Sequence, residues 1–263
     1  MMDEKMMEQT RIIEERVKKI KHRIAVASGK GGVGKSLVSG LLASALAQKG
    51  YKVGLLDADI TGPSIPRMFG AEGILGKSEE GIIPPVTEDG IKIMSLSLIL
   101  SDNANAVIWR GPMISSAIRQ FVSDIDWGEL DYLIVDLPPG TSDAPLTVMQ
   151  NLQLEGMVVV TSPQQLAFEI VRKAISMSQT MNVRVLGLVE NMSYAVCPKC
   201  GERFELFGKD QGEKLAQAAN VPFLGSIPLD PQISLLADNG RISTYRSDAV
   251  TAIVESVLEN LGQ

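Results

Sequence analysis

Short apolar runs recur along the chain, and a stretch with helical periodicity follows nearly every one. The runs fall at residues 24–28, 52–56, 91–95, 132–135, 157–161, 185–189 and 223–227. Their apolar character is almost continuous instead of alternating, as in strands buried on both faces. Strands of that kind separated by helices predict an α/β fold, a mainly parallel sheet with helices on both faces. Residues 38–48, rich in Leu and Ala, read as the helix after the first strand. Residues 1–22 stand apart: Ile13, Val17 and Ile20 recur at helical spacing among Arg11, Arg16, Lys18, Lys19 and Lys21. That pattern predicts a peripheral helix or tail, packed on its own domain or frayed, with a membrane or partner contact as the other reading. Residues 23–263 read as one domain. The Gly-, Glu- and Pro-rich stretch 70–90 reads as an excursion from the sheet and a disordered loop.

At 263 residues and 45% apolar content the chain can fill one large core. Its 25 basic and 31 acidic residues, net −6, argue against a broad nucleic-acid surface. No unbroken apolar stretch approaches the ~18 residues of a membrane span, and Asp3 and Glu4 stand where a leader would turn apolar. The expectation is a soluble, cytoplasmic protein with no nucleic-acid and no membrane partner. Two cysteines are too few for a disulfide scaffold and suit a reducing compartment.

Directly after the first run, Gly29-Lys30-Gly31-Gly32-Val33-Gly34-Lys35-Ser36 supplies the pattern G-x-x-x-x-G-K-S. Glycines let successive backbone N–H groups turn inward around phosphates, Lys35 suits their oxygens, and Ser36 suits Mg2+. Strand, loop and helix arrive in the order a P-loop requires, with a helix N-terminus aimed at the anion. A P-loop NTPase is therefore expected, its ligand at the carboxyl ends of the strands. Two acidic segments, one opening with Asp57-Ala58-Asp59 and one reading Asp136-Leu137-Pro138-Pro139-Gly140, follow later strands. Such an enzyme needs a carboxylate near Mg2+ and a group that orients the attacking water. Asp136, shared with Asp57, suits the first role and Asp59 the second. The N–H of Gly140 is placed to meet the γ-phosphate, which would make residues 138–140 a switch that relaxes on hydrolysis. Strand-end Asp residues also cap turns and helices, the competing reading for either segment alone.

Cys197-Pro198-Lys199-Cys200-Gly201 separates two thiols by two residues, so both can hold one metal centre from a tight loop. Two ligands are half a site. The lone histidine, His22, reads as a surface residue beside the first strand. The economical completion is a C2 homodimer in which each chain gives Cys197 and Cys200 to a centre on the two-fold axis. A redox dithiol or an idle pair are the other readings, and ligand chemistry suits zinc as well as an iron–sulfur cluster.

Residues Lys30 to Ser36 resemble the deviant Walker A loop of the ATPase class that includes nitrogenase iron protein, MinD and ParA. The resemblance implies that Lys30 reaches across a homodimer to phosphates on the other subunit, where a cation in trans stabilises the transferring phosphoryl group. It implies that Asn191, in Glu190-Asn191-Met192-Ser193, reads adenine and so selects ATP, and that Pro228 and Asp230 close over the base. With Trp109-Arg110-Gly111-Pro112 and the cysteine segment added, residues 20–260 resemble the Mrp/ApbC family of iron–sulfur cluster carriers. That family implies a homodimeric cytoplasmic ATPase which holds a cluster, usually 4Fe–4S, between subunits and passes it to apo-proteins. On this resemblance the catalytic residues are Lys30, Lys35 and Asp59. The nucleotide is held by Gly29, Lys30, Gly31, Gly32, Val33, Gly34, Lys35, Ser36 and Leu37 with Asp136, Gly140, Asn191, Pro228 and Asp230. Cys197 and Cys200 hold the cluster, and Ser36 holds Mg2+. Leu37 stands where the class commonly has a hydroxyl residue, and residues 207–210 depart from its usual glycine-rich run. Two alternatives remain. One is a MinD- or ParA-like positioning ATPase on membrane or DNA, disfavoured by the acidic stretch 248–263; the other is an ATPase whose cysteines bridge a dimer through structural zinc.

Overall fold

All seven apolar runs are strands of one sheet. The computed structural model describes residues 2–59, 62–71, 76–95, 98, 123–141, 143–163, 167–205 and 211–262. In chain order the strands are β1 (Ile20–Ala27), β2 (Val53–Asp57), β3 (Gly76–Lys77), β4 (Ile82–Ile83), β5 (Lys92–Ser95), β6 (Leu130–Asp136), β7 (Gly156–Thr161), β8 (Arg184–Asn191), β9 (Ala195–Val196), β10 (Arg203–Phe204) and β11 (Phe223–Ile227). The helices are α1 (Met2–Val17), α2 (Lys35–Gln48), α3 (Ile65–Met68), α4 (Asp143–Leu152), α5 (Ala167–Thr180), α6 (Gln211–Ala219), α7 (Pro231–Asp238) and α8 (Asp248–Leu261).

The seven-stranded sheet has the order β11-β8-β7-β1-β6-β2-β5, with every neighbouring pair parallel. Parallel strands need crossover connections, so helices cover both faces and the strands are apolar on both sides. Side chains of β1 alternate between two cores: Ile24 and Val26 join α2 and α8 on one face, while Ala25 and Ala27 join α4 and α5 on the other. Helix α2 is buried along most of its length, including Ser39 and Ser44, which explains its lack of a polar stripe.

Strand β1 begins at Ile20, so the boundary expected at residue 22 falls inside the sheet. Helix α1 ends at Val17 and packs Ile13 and Val17 into the core beside α4. Arg16 ties it down, donating to the carbonyl of Ile125 at 2.6 Å and to that of Glu80. His22 is not a surface residue: it is half-buried in β1, stacked on Tyr132 at 5.2 Å, with Nδ1 2.9 Å from Glu155 Oε2. The described part of 70–90 is ordered around the antiparallel ribbon β3–β4 rather than a structureless loop. Val250, Ile253, Val254 and Val257 of α8 are buried in the domain's own core. No described helix is long and apolar enough to cross a membrane.

Candidate nucleotide site and cysteine hairpin

The carboxyl ends of the parallel strands gather the phosphate-binding chemistry. After β1 the chain turns through Gly32 (φ 79°) and Gly34 (φ 83°) into α2. Glycine adopts this left-handed conformation without steric cost. At Gly34 the restriction is double, because a Cβ there would overlap Asn191 Nδ2 and sit 3.3 Å from its Cγ. Lys35 is buried, with Nζ 2.7 Å from Asp136 Oδ1. Ser36 Oγ donates to Asp136 Oδ2 at 2.5 Å and Ser39 Oγ to Oδ1 at 2.7 Å. A fully buried carboxylate is tolerated only when paired and hydrogen-bonded. Burial raises the Asp136 pKa, and the Lys35 ammonium with the two hydroxyl donors pulls it back. Ser39 escaped the sequence reading; the signal was a hydroxyl one turn beyond Ser36 in an otherwise apolar helix.

Register places Asp57 of β2 beside Asp136 of β6. Asp57 is also buried, and its pKa is pushed up to about 7, first by burial and then by the Asp136 charge. It accepts N–H bonds from Asp59 at 3.1 Å, Ser64 at 3.1 Å and Ile65 at 3.2 Å. Asp57 thus anchors the loop that carries Asp59. The half-buried Asp59 accepts the Gly62 N–H at 3.2 Å, a turn within that loop. Gly140, at φ 87°, donates its N–H to the carbonyl of Ser28 at 3.0 Å. To meet a phosphate it must give up that bond. Leu37 packs its side chain against the core instead of facing the loop.

Strand β8 delivers Asn191 beneath the P-loop, where Nδ2 donates to the Val33 carbonyl at 2.9 Å. Its Oδ1 is buried without a hydrogen-bond partner among the described residues. Pro228 and Asp230 follow β11. Asp230 caps α7 by accepting the Gln232 N–H at 2.8 Å and also accepts the Tyr245 hydroxyl at 3.0 Å. Burial, reinforced by Asp230, pushes the Tyr245 hydroxyl up to about 12. These contacts hold Asp230 as a structural cap, and Leu229 between the two donates its N–H to the Tyr194 carbonyl at 2.7 Å.

Six residues beyond Asn191, the cysteines occupy the turn of the β9–β10 hairpin. Cys197 donates its N–H to Glu202 O at 2.9 Å, Gly201 (φ 75°) returns its N–H to Cys197 O at 2.9 Å, and Cys200 is exposed. Backbone N–H groups of Lys199 and Cys200 aim at the Cys197 sulfur and hold its pKa below the usual thiol range. Among the described residues no third His, Cys, Asp or Glu joins the pair. Val196 and Phe204, both exposed, flank the turn. Residues 109–112 and 207–210 lie outside the described residues.

A phosphate loop between a parallel strand and a buried helix, with strand-end carboxylates beside its lysine and serine, defines a P-loop NTPase. The chain belongs to the family described as "ParA: NUBPL iron-transfer P-loop NTPase", whose model matches residues 19–261. It is 47% identical to the iron-sulfur cluster carrier protein of Methanocaldococcus jannaschii, over 95% of this chain and 88% of that protein. It is 45% identical to the cytosolic Fe-S cluster assembly factor CFD1 of Kluyveromyces lactis, over 94% and 92% of the two chains. Among solved structures, a nucleotide-binding protein from Archaeoglobus fulgidus in complex with ADP superimposes with a TM-score of 0.82 at 48% identity, covering 91% of this chain and 94% of that one. The cell-division ATPase MinD of Pyrococcus furiosus shares the fold at a TM-score of 0.66 and 21% identity.

Proposed function

We propose that this protein is an ATP-hydrolysing iron–sulfur cluster carrier, which holds its cargo between two copies of the chain and hands it to apo-proteins. The observation that carries this reading is the Cys197–Cys200 hairpin turn, two thiols with no third ligand beside them among the described residues, the first of them six residues from the side chain under the P-loop. Two thiolates per chain become the four that a 4Fe–4S cluster takes when a second copy adds its own. Family membership and the carrier relatives support the same role.

The Ser36 hydroxyl and the Asp136 carboxylate, 2.5 Å apart, are the hard oxygen donors that suit Mg2+. Bound there, the ion would offset phosphate charge. Lys35 would leave Asp136 for the β- and γ-oxygens, so an ammonium already desolvated meets the anion. Asn191 Oδ1, an acceptor without a partner among the described residues, suits the exocyclic amine of adenine. Asp59, held through its loop by Asp57, would orient the water that attacks the γ-phosphorus. Lys30 of a second copy would meet the charge developing on the transferred group. The Gly140 N–H would exchange Ser28 O for the γ-phosphate and return to it after hydrolysis, coupling nucleotide state to dimer geometry.

The test is anaerobic iron–sulfur reconstitution of wild type and of Cys197→Ala/Cys200→Ala, reading visible absorption, iron and sulfide per dimer, and transfer to an apo-acceptor. One transferable cluster per dimer in wild type alone is expected. No cluster, or zinc that stays bound, overturns the carrier role.

A further inference from the structure

The surroundings of the Asp136 carboxylate must change when phosphates enter the loop. It is fully buried, and among the described residues three side chains donate to it. They are divided unequally between its oxygens. Oδ2 takes the Ser36 hydroxyl at 2.5 Å, whereas Oδ1 takes both Lys35 Nζ at 2.7 Å and the Ser39 hydroxyl at 2.7 Å.

Ser39 differs from the other two in its place on α2. Lys35 and Ser36 open the helix at the loop, and Ser39 stands a turn deeper, roughly 5 Å along the axis, with no exposed surface. A hydroxyl has one proton to give. Two acceptors lie within its reach, Asp136 Oδ1 at 2.7 Å and the Lys35 carbonyl at 3.1 Å. The shorter contact is to the charged oxygen, where the bond is the stronger, and the helix pattern already gives the Lys35 carbonyl the Ser39 N–H. The proton therefore goes to Asp136.

Once Lys35 has moved to the β- and γ-oxygens, Oδ1 has Ser39 alone. Without that hydroxyl a buried carboxylate oxygen would stand unpaired and out of reach of water. The outer torsion of an Asp side chain is broad and two-fold, so its own bonds would not hold Oδ2 toward Ser36. We infer that Ser39 is a positioning residue of the nucleotide site, the fixed donor that keeps Asp136 Oδ1 paired after Lys35 leaves and so keeps Oδ2 aimed at Ser36 and Mg2+. The inference rests on the nucleotide and Mg2+ roles proposed above and is independent of the cargo. Ser39 touches no reacting atom, and its effect passes through Asp136. In the free protein Lys35 still pairs Oδ1, so loss of the hydroxyl should cost more with nucleotide bound than without.

The comparison is Ser39→Ala against Ser44→Ala. Ser44 is an equally buried hydroxyl of the same helix, which donates to the Gly40 carbonyl at 2.8 Å and not to Asp136. Full-length protein is saturated with mant-ADP in EDTA, and Mg2+ is titrated back by fluorescence; urea unfolding of the nucleotide-free proteins runs in parallel. In Ser39→Ala the half-saturating Mg2+ concentration should rise about tenfold, the scale of one hydrogen bond to a charged group, and in Ser44→Ala it should stay within about twofold of wild type. An unmoved Mg2+ midpoint in Ser39→Ala, with or without a lower urea midpoint, overturns the inference, because the hydroxyl would then only tie α2 to β6. An equal shift in Ser44→Ala also overturns it, since any buried hydroxyl of the helix would serve. If wild type itself shows no response to Mg2+, the Mg2+ assignment to Ser36 and Asp136 falls and takes the inference with it, a failure separable from an unmoved variant beside a responsive wild type.

Discussion

Gly34→Ala tests how tightly the P-loop is built onto Asn191. Gly34 sits at φ 83°, where an alanine costs about 1–2 kcal/mol. The added Cβ would also overlap Asn191 Nδ2 and crowd its Cγ, so the Asn191 side chain must move. Moving it breaks the 2.9 Å bond to Val33 O and strands a buried donor and acceptor, a further ~1–3 kcal/mol. The single variant should therefore lose about 2–5 kcal/mol. Asn191→Ala alone forfeits the same hydrogen bond and should lose about 1–3 kcal/mol. In the double variant the hydrogen bond is lost only once and nothing obstructs the new methyl group. Its destabilisation should fall short of the sum of the singles by about 1–3 kcal/mol, the signature of direct coupling. Urea unfolding of the nucleotide-free proteins at matched m-values reads each difference. Additivity within ~0.5 kcal/mol would refute the reasoning, because the cost of Gly34→Ala would then be backbone strain alone.

In nucleotide- and Mg2+-free protein, the Asp57 pKa of about 7 lies above its unfolded value of 3.8. The unfolded chain releases that proton first, so stability should fall as pH rises from about 4 to 7, with a ceiling of about 4 kcal/mol at 1.36 kcal/mol per unit. Asp57→Asn should flatten the slope between pH 5 and 7 in urea titrations, and an unchanged slope would assign it to other groups. Asp136→Asn leaves Lys35 buried without its carboxylate and should cost about 3–5 kcal/mol in the same assay, besides removing Mg2+-dependent hydrolysis; a loss under 1 kcal/mol would mean the pair is solvated. Lys30→Met should keep ATP binding by fluorescence titration yet lower turnover about a hundredfold or more, the scale of a lost transition-state cation. Full turnover would remove Lys30 from the chemistry.

What the sequence made legible was everything local. Continuous apolar runs exposed the seven strands because both sheet faces are buried, and the glycine–lysine–serine spacing located the phosphate loop because its chemistry is set within eight residues. The misses have long-range causes. Lys21 and Arg23 interrupt the apolar run at the start of β1, so residues 20–22 read as tail. In the fold Arg23 pairs with Glu155 at 2.5 Å, and His22 reaches the same carboxylate, a partner 133 residues away. The stretch 70–90 looked structureless because its order comes from Arg16 and Ile125, not from its own periodicity.

The site divides along the same line. Asp136 was readable as a strand-end carboxylate, but its solvation by Lys35, Ser36 and Ser39 depends on β6 lying between β1 and β2, a fact of topology. In sequence Asp57 shared the carboxylate role near Mg2+ with Asp136 while Asp59 was read as orienting water, whereas burial makes Asp57 an anchor for three amides and leaves Asp59 half-exposed at the loop. Asn191 is 158 residues from Val33, yet the two share a hydrogen bond. The same strand then runs directly into the cysteine hairpin. Motif spacing names the reactive groups, and the parallel strand order brings the phosphate loop, its carboxylates and Asn191 together at the carboxyl ends of the strands.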